Sequence, residues 1–341
     1  MTGTDFDKAT AFKFCYSTSG GATKRVNPSV LHASYAQVSL SELSPETTYS
    51  VWAEATASTG VVVTSSAKSF TTGKAVALPS HTDWLELPAQ SEINTAAEHT
   101  YYSGERNYTI LYDTKKYAGL WVAYPLSKSH SGDLSRPDNW AFAPDIDTED
   151  QIDLTNSSYG VNVSGTIYSR GHQIPNGDRN GNSTMQNQTF YVINSTPQIH
   201  DKFNGGIWNS LENAIRGALP SSASVYVVTG PVYQTVGGSE SIKTIEAQDD
   251  KGKKIPVPNY YFKAILKVKK SGGVVVGASA VGFWFEHIQY SNNSWEDHIV
   301  SIDEIERKTG FDLFANLPDT LEKSVEQNAT RWSDYTSFSA N

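Results

Sequence analysis

The sequence predicts two folded units, a small β-sandwich followed by a larger domain of the α+β class. Three observations carry that reading. A chain of 341 residues has room for about two domains, each able to bury its own core. Residues 8–74 form short alternating runs split by turn formers. From residue 101 onward, strand-like and helix-like segments mix without regular strand-helix-strand alternation, which argues for α+β rather than a wound parallel sheet.

In the first unit, the expected strands are Phe12-Lys13-Phe14-Cys15-Tyr16, Ala36-Gln37-Val38-Ser39-Leu40, Tyr49-Ser50-Val51-Trp52-Ala53 and Ser69-Phe70-Thr71-Thr72. Leu43-Ser44-Pro45-Glu46-Thr47-Thr48-Tyr49 resembles the turn entering a late strand of fibronectin type III domains. In that family the tyrosine hydroxyl bonds back to upstream backbone. Phe70-Thr71-Thr72 is similar to the family's closing strand. Few residues precede Phe12, so residues 1–75 are read as a fibronectin type III-like β-sandwich whose first strands are truncated or replaced. Periodicity lapses across residues 76–97, with Pro79 and Pro88, and a linker is expected there.

The second domain is placed at residues 98–335. Asn107 to Tyr112 and Leu120 to Leu126 read as aromatic and β-branched strands, followed by strands at Thr189 to Asn194, Ser224 to Thr229, Tyr260 to Val268 and Gly273 to Trp284. Trp208, Leu211, Ile215 and Leu219 recur at three- and four-residue steps, which predicts a helix over Ile207 to Leu219. A further helix fits Ile302 to Thr309, stopped by Gly310.

Composition narrows the function. No apolar run approaches the roughly 18 residues of a membrane span. The single cysteine, Cys15, leaves no internal disulfide framework and no thiolate metal cluster. A formal net charge of −9 speaks against non-specific coating of nucleic acid, which relies on many phosphate contacts. It is compatible with an enzyme gripping one phosphate. Between residues 161 and 220 the balance is locally less acidic, with Arg170, Arg179, Lys202 and Arg216 against Asp178, Asp201 and Glu212.

The densest polar motif is Ser169-Arg170-Gly171-His172-Gln173-Ile174-Pro175. An imidazole such as His172 can take a proton from water near neutral pH, and Pro175 holds the segment extended. Asn204-Gly205-Gly206 stands just before the predicted helix, where Asn204 is either its N-cap or an oxygen ligand for a hard cation. Glu212 and Arg216 share a helical face, as a surface ion pair or as functional groups. A base, oxygen ligands and cations are the groups that metal-assisted phosphodiester hydrolysis requires. Asp178 and Arg179 are read mainly as parts of a turn held by Gly177, with supporting bonds to the site as the alternative.

The ordered series Arg170 to Pro175, Asn194-Ser195-Thr196-Pro197-Gln198, Asn204 to Trp208 and Leu211-Glu212 to Arg216 resembles the DNA/RNA non-specific endonucleases. Similarity extends to Trp121 to Tyr124, Val228 to Tyr233, and Asp303 to Glu306 through Leu317-Pro318. The resemblance implies a ββα-metal, or His-Me finger, fold with a central mixed or antiparallel sheet. Its finger would join the strand ending at Asn194 to the helix beginning near Ile207. It implies His172 as general base, Asn204 as direct ligand of one Mg²⁺ with Mn²⁺ as substitute, and Glu212 holding the cation through water. Arg170 and Arg216 would steady the phosphate, and Arg136 in Ser135-Arg136-Pro137 is the nearest match to the family's upstream arginine. Many members carry Asp where Ser169 stands.

The implied activity is hydrolysis of DNA and RNA by a His172-activated water, leaving 5′-phosphate ends. The rival is a decayed nuclease scaffold that binds nucleic acid or a partner without cutting. No basic stretch followed by an apolar core marks the first residues, but the pairing with a fibronectin-like module makes a secreted, periplasmic or cell-surface location the expectation.

Overall fold

The computed structural model describes residues 9–28, 30–32, 35–38, 40, 43–44, 46–72, 81–89, 93–159, 165–221 and 223–340. The chain divides into two compact units, Met1–Ala77 and Leu78–Asn341. Parts of the expected linker, residues 76–80 and 90–92, lie outside the described residues, as do Ser39 and Pro45 of the first unit.

In the first unit, strands Lys24–Val26, Ala11–Thr18, Thr48–Thr56 and Val62–Thr64 neighbour one another in that order, and Lys68–Thr71 also pairs with Thr48–Thr56. Every one of these pairings is antiparallel. Val30–His32 and Tyr35–Gln37 make a separate two-stranded pair. Phe12, Phe14, Ala36 and Ala53 are the buried apolar group. Ser44 N donates to Tyr49 Oη at 2.9 Å, and the Tyr49 ring stacks 5.8 Å from Phe70, so the turn is tied back to the closing strand.

The second unit is built on a seven-stranded sheet. Its order is Ile299–Val300, Val274–Glu286, Tyr260–Ser271, Val225–Val232, Ala118–Leu126, Glu105–Asp113 and Ala96–Ser103. All neighbours run antiparallel. The central strands are apolar on both faces, as a sheet covered on both sides requires. On one face Val122, Tyr124, Val227, Tyr261 and Ile265 pack against Ile174, Phe203, Trp208 and Leu211. On the other, Ala123, Val228, Phe262 and Leu266 pack against the segments carrying Leu85, Leu87, Ile305 and Leu313.

Three expectations are corrected here. Residues 81–89 of the expected linker are anchored: Leu85 and Leu87 are 4% and 1% exposed, and Ala89 N donates to Asp312 O at 2.8 Å. Apolar pairs buried under a sheet face outweigh the turn propensity of Pro88. Thr189 to Asn194 is not a strand. Its Asn194 side chain accepts from Ile174 N at 3.0 Å and donates to Ile174 O and Thr189 O, which winds the segment into a tight turn at Val192–Asn194 and delays the strand to Ser195–Ile199. The regular helix runs over Asn209–Gly217, later than Ile207. The preceding His200–Trp208 is irregular, with Lys202 at φ 64° and Gly206 at φ −117°, ψ −112°.

The helix at Ile302–Thr309 is bounded as its residues dictate. Ser301 Oγ accepts from Glu304 N at 3.1 Å, and Gly310 ends it in the left-handed region at φ 77°. Ser183–Gln188, Asp319–Glu326 and Trp332–Ser337 are additional short helices that the apolar periodicity did not reveal.

Candidate active site

Strands Ala118–Leu126 and Val225–Val232 are hydrogen-bonded neighbours, and residues 127–224 form one excursion between them. That excursion carries every candidate residue. Within it, Tyr168–His172 pairs antiparallel with Ser195–Ile199, His172 opposite Ser195 and Arg170 opposite Pro197. The two-residue alternation of a strand puts Arg170 and His172 on one face. Gly171 between them is required by space, because a Cβ there would overlap the Gln198 side chain.

Arg136, Arg170, His172, Asn204, Glu212 and Arg216 together line a cavity of about 300 Å³. The structure therefore brings all six predicted residues to one place. His172 is wedged between Trp140 and Phe190, with ring centroids 4.7 and 4.9 Å away. Burial is the main force lowering its pKa, to about 3, with the guanidinium groups of Arg136 and Arg170 pushing the same way. A hydrogen bond with the Arg170 backbone acts in the opposite sense. The ring is accordingly a neutral imidazole whose Nε2 is buried and has no protein partner.

Each arginine is held differently. Arg170 Nη1 donates to Leu154 O at 2.8 Å and its guanidinium lies 4.7 Å from the Trp140 ring, leaving other donors free for an anion. Arg136 is exposed, lies 4.8 Å from the Phe190 ring and bonds Asp138 at 3.3 Å. Arg216 does not make the short ion pair with Glu212 that their spacing suggested. Its Nη1 donates to Asp178 Oδ1 at 2.7 Å, and its Nη2 to Asn213.

Asn204 is not an N-cap: neither helical segment around it has a side-chain cap, and its amide makes no hydrogen bond among the described residues. A partly buried carboxamide without a partner, lining the same polar cavity as a carboxylate, suits an oxygen-seeking cation. Glu212 is that carboxylate. Burial pushes its pKa well above the usual range, and the nearby Lys263 and Arg216 cations pull it back.

Lys263 was not singled out by the sequence reading, while Asp178 and Arg179, read mainly as parts of a turn, take the supporting role that was the alternative. Lys263 is fully buried, its Nζ 4.8 Å from the Trp208 ring centroid, and burial lowers its pKa. Asp178, 3% exposed, accepts from Arg216 and, at 3.0 Å, from Tyr124 Oη. Arg179 is fully buried and donates to Asn107 Oδ1, Asn107 O, Pro125 O and Asp178 O, so it ties the motif to the sheet. The available signal for Lys263 was a single charge inside the apolar run Tyr261-Phe262-Lys263-Ala264.

A separate acidic group lies on the C-terminal helices, where carboxylate oxygens of Asp303, Glu306 and Glu326 fall within 4.8 Å of one another. Burial and mutual repulsion push Glu306 up to about 8 and Glu326 up to about 9.

A sequence model of the family described as DNA/RNA non-specific endonuclease matches residues 88–320. A nuclease of Nostoc sp. is 29% identical over 231 residues, which cover 66% of this chain and 77% of the relative. The human mitochondrial nuclease EXOG is 30% identical over 227 residues, 63% of this chain and 57% of its own length. Among solved structures, a chain of the EndoG/EndoGI complex aligns with a TM-score of 0.50 at 21% identity, over 67% of this chain and 90% of that one, a likeness of fold. Relatives whose names state a compartment, human EXOG among them, are mitochondrial, which overturns the expected secreted, periplasmic or cell-surface location. No helix among the described residues is long and apolar enough to cross a membrane.

Proposed function

We infer the chemistry from one premise: the chain belongs to the DNA/RNA non-specific endonuclease family. It is a nuclease, with the α+β fold of that family and the metal dependence typical of it. Within that class we propose that it hydrolyses both DNA and RNA with little base preference and leaves 5′-phosphate ends. The observation that carries the proposal is the neutral imidazole of His172, which lines one cavity together with Asn204 and Glu212. We further read the finger as the ribbon Tyr168–His172 and Ser195–Ile199 with the helix Asn209–Gly217, and the first unit as a fibronectin type III-like module.

In this mechanism the His172 imidazole takes a proton from a water aligned with the scissile phosphorus, opposite the leaving 3′ oxygen. Trp140 and Phe190 fix the ring so that the nitrogen need not reorient during the step. Arg170 and Arg136 offer donors to the non-bridging oxygens, and Arg216, aimed by Asp178, contributes positive charge from the helix. Bound at Asn204 Oδ1 and through water at Glu212, Mg²⁺, or Mn²⁺ in its place, would neutralise charge developing on the phosphate and the departing oxygen. Contacts to phosphate and sugar carry little sequence information, which suits a non-specific substrate range. The intact set of His172, Asn204 and Glu212 disfavours the decayed-scaffold alternative.

The test is cleavage of a supercoiled plasmid and of a single-stranded RNA. Cutting should require Mg²⁺ or Mn²⁺, stop with EDTA, and leave ends that ligase rejoins. At limiting Mg²⁺ it should also weaken below neutral pH. A carboxyl group whose pKa is raised to about 7 is charged above that pH and takes up a proton as the pH falls through it, so cation affinity should fall as the pH drops below 7. His172 contributes no acid limb near 6.5, because its pKa is lowered to about 3. Cutting in EDTA, or 3′-phosphate ends, would contradict the proposal.

A further inference from the structure

Beside the hydrolytic cavity lies a larger one of about 610 Å³. Arg136, Arg170 and Asn204 line both, so the two adjoin. The proposed reaction makes no use of Tyr168, His200 and Gln248, which line the larger cavity and not the smaller. Ser169 Oγ shares a 2.6 Å hydrogen bond with His200 Nδ1. His200 N donates to Ile167 O at 2.8 Å, so backbone and ring are both tied down although the side chain is exposed. A ring already fixed loses little freedom when another ring stacks on it. His200 Nε2 bonds to nothing among the described residues.

Also in the lining, Gln248 N donates to Ser158 O at 3.2 Å, which fixes its backbone, while its side-chain amide makes no hydrogen bond among the described residues. The charges suit a polyanion. Arg136 and Arg170 are in the wall, and Lys243 Nζ stands 5.6 Å from the Tyr168 ring. Asp138, the one carboxylate among the described lining residues, is taken up by Arg136 at 3.3 Å and Trp140 Nε1 at 3.0 Å.

We propose that this second cavity is a subsite for the nucleotide next to the scissile phosphate, with the His200 ring as its stacking surface and the Gln248 amide as a polar contact. The inference rests on reading the first cavity as the hydrolytic site. Ser169 is then a positioning residue. Its hydroxyl is short and neutral, so it holds the imidazole without placing a negative charge beside an incoming phosphate, as an aspartate would.

The experiment measures anisotropy of a short fluorescein-labelled single-stranded DNA with the full chain carrying His172→Ala, in Mg²⁺. Stacking on one ring contributes about 1–3 kcal/mol, so adding His200→Ala should weaken binding roughly 5- to 150-fold, with a smaller loss for Ser169→Ala or Gln248→Ala. His200→Phe, which keeps a ring, should restore most of the affinity. In the chain with His172 intact, His200→Ala should raise KM by a similar factor and leave kcat within about threefold. Unchanged affinity in both His200→Ala and Gln248→Ala, in a chain whose unmodified form cuts nucleic acid, overturns the subsite alone. An unmodified chain that does not cut in Mg²⁺ or Mn²⁺ overturns the hydrolytic reading and the subsite with it.

Discussion

Replacing His172 with alanine is expected to lower kcat by roughly 10³-fold, within the range that a positioned general base contributes, while KM changes little. The split follows from what surrounds the ring. Phosphate-binding charge comes from the guanidinium groups of Arg136, Arg170 and Arg216, none of which bonds to the imidazole, so substrate affinity should survive the substitution. The proton acceptor does not, because His172 lines the cavity wall and alanine puts no base there. Loss of packing between Trp140 and Phe190 is a separate effect, and His172→Gln controls for it by filling the space without supplying a comparable base. Single-turnover cleavage rates of the two variants should agree within a few fold. A His172→Gln protein cutting at the unmodified rate would exclude His172 as the base.

Asp178→Ala should be the most destabilising change near the site, by about 3–5 kcal/mol. Asp178 is 3% exposed and receives Arg216 Nη1 at 2.7 Å and Tyr124 Oη at 3.0 Å. Its removal strands a guanidinium and a buried hydroxyl together, and also removes one of the anions that favour the charged form of Lys263. For a unit of this size the melting temperature should drop by about 10 °C. Asp178→Asn keeps an acceptor for one partner and should lose less. Calorimetry of both variants checks this order. Alanine and asparagine proteins melting with the unmodified chain would show that the Arg216 and Tyr124 contacts contribute nothing to stability.

Periodicity and turn chemistry located most of the central strands, because Leu120 to Leu126 and Tyr260 to Val268 are apolar enough to require burial. The helix at Ile302–Thr309 was legible from its cap residues. Elements whose form depends on distant partners were not. Thr189 to Asn194 has strand-like residues, yet Asn194 bonds across to Ile174, and no local pattern encodes a contact twenty residues away. Leu85 and Leu87 looked like linker residues because the surface that buries them comes from the opposite end of the unit.

The same division holds at the site. His172, Asn204, Glu212 and Arg216 were visible because their spacing follows the order of a known family. The groups that set their charge were hidden: Asp178 lay in an apparent turn, and Lys263 in a strand of the sheet. Spacing alone misassigned the partner of Arg216, since a four-residue step along a helix does not exclude a stronger, better-buried carboxylate from another segment. Ser169 looked like a missing carboxylate and is instead bonded to His200.

The position of the bound cation is the most direct test of the proposed site. Anomalous scattering from crystals of the full chain soaked in Mn²⁺ locates it directly. A peak within about 2.2 Å of Asn204 Oδ1, with Glu212 reaching it only through water, is the predicted result. A peak at Asp303, Glu306 and Glu326 with nothing beside Asn204 would contradict Asn204 as the metal ligand.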